Sequence, residues 1–252
     1  MSSPTAAVLI IGNEILSGRT QDINLNYIAN KLTAIGVRLA EARVVADIEN
    51  DIVEAVNDLR KKYTYVFTTG GIGPTHDDIT SDSIGKAFGR RVSENAEARA
   101  RLEAHYAGAT LNAARLRMAR VPEGASLIEN PVSAAPGFRL ENVYVLAGVP
   151  NIMRAMLDSI IATLRHGPEI HSISVSGYVA ESTVAEELEA IAKRYPMLDI
   201  GSYPWVRQAR FGTALVVRGT DKASAEKAAD EIFALVESKG GNPEREIIQP
   251  GA

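Results

Sequence analysis

The chain has 252 residues, of which 46% are hydrophobic and 23% charged, a globular composition that excludes a disordered or fibrous protein. Its 27 Lys+Arg against 31 Asp+Glu leave a net charge of −4, a poor basis for nucleic-acid binding, which needs excess cations against phosphate. With no cysteine, disulfides, thiolate nucleophiles, iron–sulfur clusters and Cys-ligated zinc are excluded together. The four histidines show no i, i+4 pairing, which argues against a His-based zinc site. No basic segment precedes the apolar run Ala6–Ile11, which is too short for a signal or a membrane span. A cytoplasmic protein with no membrane partner is expected.

In chain order, Ala6–Ile11 reads as a strand buried on both faces. Ile23–Ile35 carries a helical stripe (Leu25, Ile28, Leu32, Ile35) closed by Gly36. Val37–Val45 is a second strand, and Asn50 is placed to cap a helix bearing Ile52, Val53, Val56 and Leu59. Tyr65–Thr69 is a third strand that runs into Gly70-Gly71-Ile72-Gly73-Pro74, and Ser81–Phe88 reads as a helix ending at Gly89. This alternation implies a parallel sheet with right-handed crossovers.

Glu94–Arg120 reads as a helical, arginine-rich stretch. From Arg90 it holds seven arginines against three glutamates, a local +4. The plainer reading is a solvated helix face; the functional one is a wall that attracts phosphates or an acidic ligand. Val143–Ala147 is a further buried strand, followed by Gly148-Val149-Pro150 and a helix running through Ile152, Met156 and Ile160 to Leu164. The chain breaks at His166-Gly167-Pro168. Beyond it, strands at Ser172–Ser176, Ile200–Ser202 and Thr213–Arg218 and helices at Thr183–Arg194 and Ser224–Ser238 make a small α+β unit. The expected organisation is a three-layer α/β domain over residues 1–168 and an α+β subdomain over 169–252.

Ligands of parallel sheets settle outside the carboxyl edge, so the segments that follow strands are the places to look. Three converge there: Gly12–Leu16, Ala46-Asp47, and Thr68 through Ser81. Gly70, Gly71 and Gly73 let the backbone approach a ligand and turn N–H groups toward an anion. Thr80 or Ser81 is placed to cap the following helix, whose N-terminus favours phosphate. Asp77 and Asp78 beside such a cradle make sense chiefly if a hard divalent cation bridges them to the ligand. The alternative is a glycine-rich turn in which both aspartates cap the helix. Asp47, opposite the glycine loop, is a candidate metal ligand; Glu14 is either solvated or at the site; His76 reads as an exposed loop residue. The loop matches neither the Walker nor the GxGxxG pattern.

The run Gly70-Gly71-Ile72-Gly73-Pro74-Thr75-His76-Asp77-Asp78-Ile79-Thr80 resembles the GGxGPTxDDxT signature of the molybdopterin-binding domain family. More narrowly, the chain is similar to the N-terminal part of the competence/damage-inducible protein A family and to the related domain of eukaryotic flavin-adenine-dinucleotide synthases. Gly12–Leu16, Asp22-Ile23-Asn24, Val45-Ala46-Asp47, Ala135-Pro136-Gly137-Phe138 and Gly148-Val149-Pro150 support the likeness. Glu181-Ser182 and Gly201-Ser202-Tyr203-Pro204 resemble the small KH-like subdomain of these proteins. Asn13 stands where relatives usually have Asp, and Ile152 where many have Glu, so neither is assigned a metal role. No sequence remains for the amidase domain of longer relatives, so amidase activity is not expected.

The resemblance implies a molybdopterin-binding fold with a mixed sheet edge, followed by the KH-like subdomain. It implies metal-dependent cleavage of a nucleotide diphosphate such as ADP-ribose or a flavin dinucleotide. Asp47 and Asp78 would hold Mg²⁺ or Co²⁺ and serve catalysis. Gly12, Glu14, Gly70, Gly71, Gly73, Pro74, Thr75, Asp77, Thr80 and Ser81 would bind the ligand. Two other readings stay open: adenylyl transfer to molybdopterin, and a non-catalytic module that binds a pterin or nucleotide. Residues 171–252 hold nine Lys+Arg against twelve Asp+Glu, a balance of −3, and lack the GxxG loop of RNA-binding KH modules, so no nucleic-acid partner is expected. An exposed sheet edge and the arginine-rich helices suit a homodimer.

Overall fold

The computed structural model describes residues 3–106, 111–207 and 209–248. The chain divides into two compact units, Met1–Leu32 with Val37–Gly167, and Thr33–Gly36 with Pro168–Ala252.

The first unit runs β1 (Thr5–Ile11), α1 (Asn13–Leu16), α2 (Asn24–Ala34), β2 (Arg38–Val45), α3 (Glu49–Lys62), β3 (Tyr65–Thr69), α4 (Thr80–Phe88), β4 (Val92–Glu94) and α5 (Ala96–His105). It continues with α6 (Ala113–Arg117), β5 (Arg120–Pro122), β6 (Ser126–Ile128), β7 (Gly137–Leu140), β8 (Val143–Leu146) and α7 (Pro150–Ile160). The main sheet has the order β2-β1-β3-β8-β7-β6; the first four strands are parallel and the last two antiparallel. Every residue of β1 from Ala6 on is buried, because both sheet faces are covered. Ala7, Leu9 and Ile11 pack with Ile52, Val56 and Leu59 of α3 and Ile84 of α4. Ala6, Val8 and Ile10 point the other way by strand alternation, toward the side closed by buried Ile28 and Leu32 of α2 and Met153, Met156 and Leu157 of α7. The result is a three-layer α/β unit.

Several local expectations are corrected. Asn50 does not cap α3: Ile48 is the N-cap residue, without a side-chain cap, and the Asn50 Oδ1 instead receives Lys86 Nζ at 3.4 Å. The 94–120 stretch is not one helix. Asn95 and Asn112 each start a helix, their side chains accepting from the Ala98 and Arg115 amides, while β4 pairs with β5. Residues 107–110 of that stretch lie outside the described residues. The helix after Pro150 stops at Ile160 and tightens into a 3-10 turn over Ile161–Thr163 before Leu164. The β6–β7 pair was not foreseen, since strands of three and four residues are too short to show alternation.

The second unit runs β9 (His171–Gly177), α8 (Glu181–Arg194), β10 (Asp199–Arg207), β11 (Arg210–Gly219), α9 (Lys222–Ser238) and β12 (Glu244–Ile247). Its antiparallel sheet has the order β10-β11-β9-β12. Ile173, Val175, Leu215 and Val217 pack against Val184 and Ile191 of α8 and Ala225, Ala228, Ile232 and Val236 of α9. The strands are longer than expected, and β12 was not foreseen because it is a charged, fully exposed edge strand. Among the described residues no helix is long and apolar enough to cross a membrane.

Candidate functional site

Because β2, β1, β3 and β8 are parallel neighbours, their carboxyl ends lie side by side. The end of β1 is tied to that of β2: the Gly12 N–H donates to the Val45 carbonyl at 3.1 Å and the Asn13 N–H to Asp47 Oδ2 at 2.8 Å. The end of β3 is pressed against β1. Gly70 has φ +104°, and a Cβ there would lie 2.1 Å from the Ile11 carbonyl oxygen, so only glycine fits. Gly71 follows at φ +66°, where a Cβ would lie 2.2 Å from Thr80 Oγ1.

Asp78 closes the loop on itself. Its Oδ2 accepts from the Thr75 N–H at 2.7 Å and from the Thr75 hydroxyl at 2.5 Å. It also sits where a Cβ on Gly73 would meet it, 2.7 Å away. The expectation that Thr80 or Ser81 caps α4 is corrected. The N-cap position is Ile79 and no side chain caps it. Thr80 is fully buried, its hydroxyl donating to the Gly70 carbonyl at 3.0 Å and its N–H to the Gly71 carbonyl at 3.0 Å, so it props the glycine turn from behind. Ser81 is half-buried in the first turn of α4, where helix geometry leaves N–H groups free for an anion. Asp82 in the same turn is neutralised by Arg120, which grips both its oxygens at 3.1 and 2.9 Å.

Pro74, Thr75, His76 and Asp77 form the exposed loop tip, with the His76 side chain 93% accessible. Asp47 and Asp78 share one feature. Each engages a loop amide through Oδ2, and its Oδ1 accepts no hydrogen bond among the described residues. Either free oxygen is a hard donor suited to a divalent cation. No group of three His, Cys, Asp or Glu side chains converges on a metal position among the described residues. The remaining ligands would therefore be ligand and water oxygens, as is usual for Mg²⁺.

Among the described residues, three of the seven arginines are held by carboxylates, Arg120 by Asp82 and two within the helical run. Arg99 pairs with Glu94 and Glu103, and Arg101 with Glu97 and Glu129. Arg117 is different: its Nη1 donates to the Thr75 carbonyl at 3.2 Å, bringing a guanidinium from α6 to the glycine loop. In the sequence it was only one of seven arginines. Asn24, which the sequence singled out only through the likeness of Asp22-Ile23-Asn24 to the family, is buried and donates to the Gly148 carbonyl at 2.8 Å.

Glu14, on the short helix α1, folds back over Gly12, where a Cβ would come 2.5 Å from its Oε1. It lines a pocket of about 60 Å³ together with Thr20, Asp22, Asn24, Thr69 and Gly148. A wider, open depression of about 520 Å³ lies along Glu49, Asp82, Lys86 and Arg90. Lys86 is already paired there with Glu49, and Asp82 with Arg120, so those charges are not available to a ligand.

Residues 7–166 match the family described as "Probable molybdopterin binding domain", and residues 169–243 match "FAD synthase, middle domain". A protein of Archaeoglobus fulgidus is 34% identical over 236 residues, covering 92% of this chain and 98% of its own length. A CinA-like protein of Gemmatimonas aurantiaca is 37% identical over 201 residues, 74% of this chain but 47% of that longer protein. The crystal structure of the protein CinA, of unknown function, from Thermoplasma acidophilum superposes with a TM-score of 0.61 at 35% identity. It covers 64% of this chain and 98% of that one. With the glycine loop at the carboxyl edge of a mixed α/β sheet and these matches along its length, the chain belongs to the molybdopterin-binding domain family and is CinA-like.

Proposed function

We propose that the protein is a metal-dependent pyrophosphatase that cleaves the phosphoanhydride of a nucleotide diphosphate compound of the ADP-ribose or FAD type. The observation that carries this reading is that two carboxylates at the carboxyl edge of the sheet, Asp47 after β2 and Asp78 in the glycine loop after β3, are each locked by one oxygen and open at the other. A divalent cation such as Mg²⁺ or Co²⁺, held by both, would polarise the phosphoanhydride and make a bound water more acidic. The chain supplies the rest. Gly71 and Gly73 would turn backbone N–H groups to the phosphoryl oxygens, Gly70 shaping the turn with its own N–H held by the Leu146 carbonyl at 3.3 Å, and the N-terminus of α4 at Ser81 adds partial positive charge. Thr75 and Asp77 form the outer rim with Pro74, Arg117 adds a cation there, and buried Thr80 keeps the turn in shape.

A second reading uses the same loop to bind molybdopterin and transfer an adenylyl group to it, and the family match over residues 7–166 favours keeping it. The two differ in the group that accepts the phosphoryl. Purified protein incubated with ADP-ribose or FAD and Mg²⁺ or Co²⁺ is expected to release AMP, and chelation to stop it. No AMP from either compound, with ATP consumed only when molybdopterin is added, would move the assignment to the second reading. Neither reaction would leave a binding module. The ligand is a small nucleotide or pterin, with no nucleic-acid partner, and the functional form is a homodimer.

A further inference from the structure

We propose that the small pocket beside Glu14 is a subsite for the vicinal hydroxyls of a sugar whose phosphate lies on the glycine loop. The inference rests on reading that loop as a phosphate cradle, and extends it to what the phosphate is attached to.

Asn24 is the starting point. It is 5% exposed, and its Nδ2 donates to the Gly148 carbonyl at 2.8 Å. That bond fixes which way the carboxamide points, and it leaves Oδ1 buried with no partner. A buried acceptor without a donor is destabilising, so a group carrying O–H or N–H is what this wall lacks. The carboxylates in the lining lean the same way. Glu14 and Asp22 are acceptors, Asp22 already taking the Leu25 N–H at 2.9 Å, while Thr20, Thr69 and Gln21 can both accept and donate. Among the described residues no Lys, Arg or His lines the pocket. With two carboxylates and no cation, such a wall disfavours phosphate and suits neutral hydroxyls.

Size narrows the class. A pocket of about 60 Å³ has room for about two waters, hence for a pair of hydroxyls, and a fused heterocycle is too large for it. Position links it to the cradle. Thr69 and Gly70 belong both to the pocket wall and to the glycine turn, so a sugar seated in the pocket has its phosphate beside that turn. Ile10, Ile15 and Ile23 provide apolar surface for the sugar C–H groups.

The test uses methyl-labelled full-length protein, titrated separately with D-ribose 5-phosphate, 2-deoxy-D-ribose 5-phosphate and inorganic pyrophosphate, in wild type and Glu14→Gln. Ribose 5-phosphate is expected to shift the methyls of Ile10, Ile15 and Ile23. The deoxy sugar is expected to bind at least fivefold more weakly. Glu14→Gln should erase that difference. Equal affinity for the two sugars, or shifts confined to other residues, would overturn the subsite. So would no shift of these isoleucines at millimolar ribose 5-phosphate, which would mean that the pocket holds ordered water only. Loss of pyrophosphate binding in wild type would instead remove the cradle itself, so the two failures are separable.

Discussion

Asp78 has two roles in the proposed mechanism: Oδ2 closes the loop on Thr75, and Oδ1, without a hydrogen bond among the described residues, would take a ligand or its cation. Asn at this position keeps an acceptor for Thr75 but loses the charge. Asp78→Asn is therefore expected to lower AMP release by on the order of 10²-fold with an unchanged thermal midpoint, and Asp47→Asn to behave alike. Normal turnover in a well-folded Asp78→Asn protein would reduce Asp78 to a turn residue. Thr80 separates structure from chemistry in the opposite sense. Its buried hydroxyl holds the Gly70 carbonyl, so the nearly isosteric Thr80→Val removes a buried hydrogen bond and should cost about 1–3 kcal/mol. Urea unfolding with an unshifted midpoint would show that the carbonyl finds another donor.

At the scale of elements, β2 and α3 are joined through Glu41. Its carboxylate accepts from Lys62 Nζ at 2.8 Å, Tyr63 OH at 2.5 Å and Arg43 Nε at 2.6 Å. Lys62 first, then Tyr63 and Arg43, lower its pKa from an ordinary 4.5 to about 2. A folded pKa below the unfolded one means that unfolding takes up a proton. The stabilisation is complete above pH 4.5 and is lost as the pH falls toward about 2. Wild type should be more thermostable than Glu41→Gln at pH 6, the two converging as the pH falls through that window. A gap independent of pH would assign the effect to packing. Added salt should narrow the gap, because these groups are solvent-exposed in part. The parallel strands were legible because burial on both faces leaves a continuous apolar run, as in β1. Edge strands such as β12 were not, because their side chains meet water and their pairing comes from backbone groups that sequence pattern does not show.

For the whole molecule, the main sheet ends in β2 on one side and the three-residue β6 on the other. β2 alternates exposed and half-buried residues, and Val44 on it is 41% accessible. Two-fold pairing of identical chains is the commonest oligomeric arrangement, and an edge of this kind suits the proposed homodimer. Light scattering is expected to give twice the chain mass at micromolar concentration. The monomer mass at every dilution would remove the dimer without touching the fold.

The residues from Gly70 to Thr80 are contiguous, so the sequence alone determined the glycine loop and its place after a strand, and the likeness of that run to a known signature pointed to the family. The apolar run of β1, the stripe of α2 and the stop at Gly89, which adopts φ +61°, were likewise local facts of the chain. Tertiary structure alone decided which oxygens are free. That Asp47 faces the Asn13 amide across 34 residues, that Arg117 reaches Thr75 across 42, and that Asn24 gives its N–H to Gly148 across 124 depend on strand order and helix packing. Periodicity reports which face of an element is buried. It carries no record of which distant backbone group that face will meet, and at this site those meetings set which acceptors remain for a ligand.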